Sequence, residues 1–210
     1  MKKLLLTAAA VAMPLGAIAG TASVAGAAAP KTDATHASID CTGVTGTVKF
    51  APALTLTGGK PENSNIKLSL SGCTVTGAAG VAISAGSGAG VLHSASNSAT
   101  SLLGANTVTG SVKIKWTSNV KLTNKDSTVT VTVVTGGTPT DGYASLAVIS
   151  GDASVSGDFA GTDSGATSTL YTETTQSVAS LTTAALGKGV KSVTLGTDGM
   201  HTTPNSLHLG

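Results

Sequence analysis

Apolar and polar residues alternate along much of this chain, which is the pattern of β-strands with one buried and one wet face. The clearest run extends from Val108 to Trp116, where even-numbered positions are apolar or glycine and odd-numbered positions are polar. Further runs fall at 46–50, 66–70, 81–83, 128–133, 146–149, 155–159, 168–171 and 190–195. Because such alternation is typical of antiparallel sheets, the predicted fold is all-β: an antiparallel β-sandwich or a partly open barrel.

Turn-forming residues separate these runs and support a succession of short connections. The predicted turns are Gly58-Gly59, Asn63-Ser64-Asn65, Asn124-Lys125-Asp126, Gly136-Gly137 and Asp141-Gly142.

One short helix is predicted in the C-terminal region. Apolar residues recur at helical spacing at Val178, Leu181 and Ala185. We expect Thr174 or Thr175 to cap its start, and the glycines just beyond it to terminate it.

The first 27 residues have the features of a secretory signal peptide. Lys2 and Lys3 precede an apolar run from Leu4 to Ala19, and Ala25-Gly26-Ala27 forms a cleavage site. Cleavage as late as residue 29 is the alternative. A membrane anchor is disfavoured because the run is short, contains Pro14 and lacks a following basic cluster. We therefore expect Sec-type export to the medium or the cell envelope, with no transmembrane anchor in the mature chain.

The expected mature chain, residues 28–210, is a single all-β domain with a loose tail from about residue 198. All 12 basic residues of the full chain are lysines, against 10 acidic residues. Loss of Lys2 and Lys3 leaves 12 − 2 = 10 basic residues and a net charge of zero. A neutral chain without arginine lacks the field and the forked donor that nucleic-acid binding uses, so no nucleic-acid partner is expected.

Aromatic residues are scarce and small residues abundant, which predicts a thin core of Val, Leu, Ile and Ala. The chain has 34 threonines, 24 serines and 27 glycines but only five aromatic residues. Trp116 shares its parity with Val112 and Ile114, so we expect it in the core.

The two cysteines, Cys41 and Cys73, are predicted to form a disulfide, because paired thiols are usual in exported domains. The chain-entropy model gives this loop about 3.7 kcal/mol of stabilisation. Cys73 has the opposite parity to Leu70, so we expect a bulge at Ser71-Gly72 that turns Cys73 toward Cys41.

Candidate catalytic chemistry is weak. No serine has glycine two residues away on both sides, as a nucleophile elbow needs, and no histidine falls on a predicted rigid element. The histidines are His36, His93, His201 and His208. We predict no catalytic residues.

Candidate metal and phosphate sites are equally weak. His201 and His208 are predicted to be solvated tail residues, and Asp152, Asp158 and Asp163 to be turn or surface residues rather than calcium ligands. A third set, Gly86, Gly88 and Gly90, is predicted to be a flexible loop, because the third glycine of a phosphate-binding motif is missing. No metal or cofactor is expected.

The order of short motifs resembles that of small exported actinobacterial β-rich proteins of unknown function. The shared segments are 41–46, 68–73, 101–104, the strand that ends at Trp116, 157–161 and the late helix. Relatives carry a second cysteine pair, whereas this chain has Ser98, Ala99, Thr100 and Ala184 in those regions. The resemblance implies an exported β-rich fold and no particular activity.

We therefore expect a non-enzymatic binding module with an extracellular or envelope partner. The predicted contact segments are the loops Ala78–Asn97 and Gly136–Tyr143. The alternatives are a structural surface-coating protein, an inhibitor of extracellular proteases and, less favoured, a serine hydrolase.

Overall fold

The computed structural model describes residues 30–137, 142–148, 151–161, 168–196 and 205–210. The predicted signal peptide lies outside the described residues. Within them lie one α-helix, α1, at Val178–Leu186 and one 3-10 helix at Ser101–Leu103. The ten strands are β1 (Ser38–Leu54), β2 (Lys60–Thr76), β3 (Ile83–Asn97), β4 (Ala105–Ser118), β5 (Asp126–Gly137), β6 (Tyr143–Val148), β7 (Ala153–Gly157), β8 (Thr169–Ser177), β9 (Val190–Leu195) and β10 (Ser206–Leu209).

All ten strands belong to one antiparallel sheet. Strands β1 to β6 are neighbours in chain order, and β8 follows β6. On its other side β1 pairs with β10 over residues 39–41 and with β9 over 46–54. Strand β7 pairs only with β5 among the described strands. The sheet therefore curves back on itself, and the predicted all-β, sandwich-like fold with one helix in the C-terminal region is confirmed.

The core lies on the inward side of the sheet and consists mainly of Val, Leu, Ile and Ala. Trp116 is half-buried against it, and its indole N–H donates to Ser127 Oγ at 2.8 Å. Its ring also meets Phe159 edge-to-face, with centroids 5.4 Å apart. Trp116 is therefore on the inward side of β4, as predicted, but it packs against the core and is only partly buried.

The predicted flexible loop at Gly86, Gly88 and Gly90 is wrong, because all three lie on the inward side of β3. A Cβ at Gly86 would lie 2.6 Å from Cζ3 of Trp116, and one at Gly90 would lie 2.1 Å from the Ser111 carbonyl oxygen. Glycine is required here because neighbouring strands and side chains occupy the space above β3.

Cys41 and Cys73 are at disulfide distance on directly opposed positions of β1 and β2. The predicted change of parity before Cys73 is present, but the predicted bulge is wrong. The register of β1 on β2 is unbroken from Ser38 to Ala51. Both strands change parity together where Thr42 Oγ1 donates to the Gly72 carbonyl, and Gly72 has a positive φ of 61°.

The structure corrects the predicted start of the helix. Thr174 and Thr175 lie in β8, and the cap is Ser177, whose Oγ accepts the Ser180 N–H at 3.2 Å. Leu181 and Ala185 form its buried stripe. Among the described residues no helix is long and apolar enough to span a membrane.

The predicted loose tail is wrong for the end of the chain. Residues 197–204 lie outside the described residues, but Ser206–Leu209 form β10 between β1 and β8. Leu207 and Leu209 are buried there, which explains the order. The predicted turn at 63–65 is also wrong, because these residues continue β2.

Candidate functional site

Three adjoining cavities run through the interior of the sheet. We name them the gap cavity, the central cavity and the polar-end cavity, with volumes of about 40, 70 and 60 Å³. The gap and central cavities share the walls Leu68, Val112, Val131, Val148 and Leu170. The central and polar-end cavities share the walls Val48, Ile66, Leu92, Val134 and Leu146.

The gap cavity lies where β7 ends its pairing. Ala153 of β7 lines one side of it, and Leu170 of β8 with Leu207 and Leu209 of β10 lines the other. Since β7 pairs only with β5 among the described strands, the sheet has no hydrogen-bonded neighbour for β7 at this position. The gap cavity thus lies beside an edge of β7 that no described strand pairs with.

Small side chains explain why the interior is incompletely filled. The walls that β4 and β5 contribute to the cavities are mostly valines: Val108, Val112, Val129, Val131 and Val134. Protein interiors normally pack without voids larger than a water molecule. The three cavities together are comparable with the roughly 150 Å³ apolar cavity that holds benzene or xenon in another protein.

The polar-end cavity differs from the other two in its walls. Ser64, Asn97, Ser101 and Asn106 line it together with aliphatic side chains. Ser101 Oγ donates to Asn97 Oδ1 at 2.5 Å, and the buried hydroxyl of Ser94 donates to Asn106 Oδ1 at 3.2 Å. One end of the cavity row therefore offers hydrogen-bonding groups, while the middle offers only apolar contact.

Glu62 does not line the polar-end cavity, but it holds two residues that do. Its side chain is 2% exposed, and its carboxylate accepts Asn97 Nδ2 at 2.8 Å and Ser64 Oγ at 3.0 and 3.1 Å. No Lys or His of the described chain lies within ion-pair distance of it. A buried carboxylate is costly unless hydrogen bonds satisfy it, so it fixes the amides and hydroxyls around it.

Two buried hydroxyls in the cavity walls have no hydrogen-bond partner within the described ranges. They are Ser168 Oγ beside the gap cavity and Thr172 Oγ1 beside the central cavity. Both residues are at most 2% exposed. Such groups normally find partners, so their position in the cavity walls marks this interior as unlike an ordinary core.

The sequence missed the polar end, although alternation could have found it. Glu62 and Ser64 have the same parity as Ile66, Leu68 and Leu70, so extending the run by two positions at a time places them on the inward side. The polar triplet 63–65 predicted a turn instead.

Within the described residues no hydrogen bond joins a histidine to a serine. His93 lies in β3 rather than in a loop, faces outward and has its Nδ1 3.0 Å from Asn63 Oδ1. His208 lies in β10, with Nδ1 2.7 Å from Asp40 Oδ1, so it is not a solvated tail residue. His36 is exposed, and His201 lies outside the described residues.

The candidate metal ligands are also apart. Asp152 precedes β7, and Asp163 lies outside the described residues. Contrary to the prediction of a surface residue, Asp158 is fully buried beneath the segment 33–37. In the part of the chain that the structure describes, no three His, Cys, Asp or Glu residues are placed to hold a metal ion.

Burial raises the pKa of Asp158 above its usual 3.8, a hydrogen bond from Asn124 opposes this shift, and Asp33 adds to it. Its Oδ2 has no hydrogen-bond partner within the described residues. Asp158 supports the fold at this end through its main chain, because its carbonyl accepts the Ser127 hydroxyl.

We expect Asp158→Asn to stabilise the protein near neutral pH, because the amide removes a buried charge while its oxygen can still accept the hydrogen bond from Asn124. A raised native pKa means that the folded state holds its proton more tightly than the unfolded state. Wild-type stability should therefore fall as the pH rises from about 3.8 through the raised native pKa. Urea unfolding across this pH range checks the prediction; an advantage of the variant that is the same below pH 3.8 and at pH 7 would contradict it.

The first of the two predicted contact segments is not a loop over its whole length. Most of Ala78–Asn97 is the central strand β3, and only residues 78–82 connect β2 to it. In the second segment residues 138–141 lie outside the described residues. The loop prediction is therefore wrong for most of Ala78–Asn97, and the role of Gly136–Tyr143 stays a prediction.

No family model, curated protein or solved structure matches this chain. The resemblance to exported actinobacterial proteins stays a prediction.

Proposed function

We propose that this protein is exported and binds a small apolar or amphiphilic molecule in its interior, without catalysing a reaction. The observation that carries the proposal is the row of three adjoining cavities, which ends at the polar group formed by Ser64, Asn97, Ser101 and Asn106. Ligand sites are typically apolar, with a few placed polar groups that fix orientation.

Export is supported by the signal-like first 27 residues and by the cysteine pair. Disulfides persist mainly in oxidising compartments outside the cytoplasm. An exported binding protein of this kind would bind its ligand in cavities that are already present in the folded chain.

The shape of the cavity row favours a short, narrow ligand. An alkyl chain of a few carbons can follow the gap and central cavities, and a hydroxyl at its end can reach the amides at the polar end. Each buried methylene should add about 0.8 kcal/mol of binding free energy.

Calorimetric titration with n-alkanols from butanol to decanol tests the proposal. We expect the affinity to increase by about fourfold for each carbon, then level off once the chain exceeds the length of the cavity row. A complete lack of binding would overturn the proposal. A rise that continues without a limit would also overturn it, because that is the behaviour of an apolar surface.

A pair of variants on β5 locates the site. Val131 lines both the gap and central cavities, whereas its neighbour Thr130 is exposed on the outward side. Val131→Phe should abolish alkanol binding and Thr130→Phe should preserve it. Equal binding by two folded variants would place the alkanol outside the interior, and the chain-length limit remains decisive if Val131→Phe does not fold.

A further inference from the structure

A lysine-rich surface lies on the outward side of the sheet, opposite to the cavities. We call it the lysine face, formed by Lys49 of β1, Lys67 of β2, and Lys113 and Lys115 of β4. Strand register places Lys67, Ala89 and Lys113 in one row across three neighbouring strands. The four lysines therefore project from one side of adjacent strands.

Few acidic groups balance these charges. Lys113 pairs with Asp126 of β5 at 2.6 Å. No carboxylate of the described chain lies within ion-pair distance of Lys49, Lys67 or Lys115. Although the expected mature chain is neutral overall, this face carries an excess of positive charge.

The same face is grooved. Ser69, Ser87 and Ala89 form a low floor between Lys67 on one side and Lys113 with Lys115 on the other. The groove has a volume of about 550 Å³ and is open to solvent. Small floor residues let a chain lie close to the backbone while the lysines reach it from both sides.

The groove fits an extended polymer better than a compact ion. Lys113 and Lys115 are two residues apart on one strand, so their Cα atoms are separated by about 7 Å, and Lys67 lies two strands from Lys113, at about 10 Å. Lysine charges at these separations can each meet a different anionic group of one extended polymer. A single phosphate could contact only one or two of them.

We propose that the lysine face binds a linear phosphate polymer. Lysine is a suitable point charge for phosphate, and the four basic residues of this face are all lysines. Asn65, Lys67 and Ser69 of β2 each belong to a row of outward residues that face one another across β1 to β5. None of these three rows contains an aromatic side chain. Because single-stranded nucleic acids are held largely by stacking on aromatic rings, a polymer without bases is the better match.

Binding of labelled linear polyphosphate, followed by fluorescence anisotropy at increasing NaCl concentration, tests this proposal on the full mature chain. Three unpaired lysines should give a slope of log K against log salt of about −2. The variant Lys49→Gln/Lys67→Gln/Lys115→Gln should bind about tenfold more weakly or worse at low salt, with a flatter slope.

A charge-matched control separates the face from net charge. Lys31, Lys121 and Lys188 are exposed and lie outside the lysine face, and replacing all three with glutamine removes the same total charge. The control should bind as the wild type does. Equal weakening in both triple variants, or none in the first, would overturn the proposal.

A second polymer tests the assignment to phosphate. Poly-glutamate of matched charge should bind more weakly than polyphosphate, and equal affinity would overturn the phosphate assignment. The results with polyphosphate and poly-glutamate do not depend on the alkanol titration, because the groove and the cavities lie on opposite sides of the sheet.

Discussion

Replacing Phe159 with alanine is expected to lower the free energy of unfolding by about 3–5 kcal/mol. Its side chain is fully buried, and its ring packs edge-to-face on Trp116 at an interplanar angle of 87°. The chain has only five aromatic residues, so this pair supplies much of the large apolar surface at its end of the core.

The main chain around Phe159 adds to the expected loss. Its N–H donates to the Ala34 carbonyl at 2.9 Å, and the next N–H, of Ala160, donates to Thr35 at 3.0 Å. Phe159 has a positive φ of 59°, which is unfavourable for a bulky residue and is maintained by its burial. Losing the ring should therefore loosen the segment 33–37 as well as the core.

Denaturant unfolding followed by Trp116 fluorescence measures the effect. Leu186→Ala is a matched control, because Leu186 is 69% exposed at the end of α1 and its truncation should change stability by less than about 0.5 kcal/mol. A loss below about 1 kcal/mol for Phe159→Ala would contradict the predicted role of the ring.

The sequence predicted the strands in which aliphatic and polar residues alternate regularly. The run 108–116 lies within β4, and the run 190–195 coincides with β9. In these strands the inward residues are large enough to reveal the period. Tertiary contacts and side-chain identity there favour the same structure.

Strand β3 was missed because three consecutive inward positions, Gly86, Gly88 and Gly90, have no side chain to reveal the period. Glycine, serine and alanine have low strand propensity, and the strand forms because β2 and β4 pair with it on both sides. The end of the chain was missed for a related reason. A four-residue strand such as β10 is too short to show a period, and burial of Leu207 and Leu209 decides its position.

The cavity row and the lysine face depend on strand register, which the sequence alone does not fix. Lys67 and Lys113 are 46 positions apart and meet across Ala89 only because β2, β3 and β4 pair in a particular register. The cavities arise in the same way, because the register brings aliphatic residues of β2, β4, β5, β6 and β8 together around them. The two proposed binding sites therefore depend on the sheet rather than on a local motif.

Removing the disulfide by the double substitution Cys41→Ala/Cys73→Ala is expected to lower the free energy of unfolding by about 3.7 kcal/mol. The estimate follows from the sequence separation of 32 residues, since the covalent link restricts the unfolded chain. Urea unfolding with and without a reducing agent provides the test. The reducing agent should destabilise the wild type and leave the double variant unchanged.

In addition to this effect on the unfolded chain, we expect a local effect on the last strand in the folded state. Cys41 lies opposite Leu207 in the ladder between β1 and β10, so the disulfide holds the part of β1 on which β10 pairs. Neither cysteine lines a cavity or lies on the lysine face. The double variant should therefore show faster hydrogen exchange in β10 while it keeps its affinity for alkanols and polyphosphate. Equal stability of the double variant and the oxidised wild type, or two freely reactive thiols in the purified protein, would contradict a structural role for this pair.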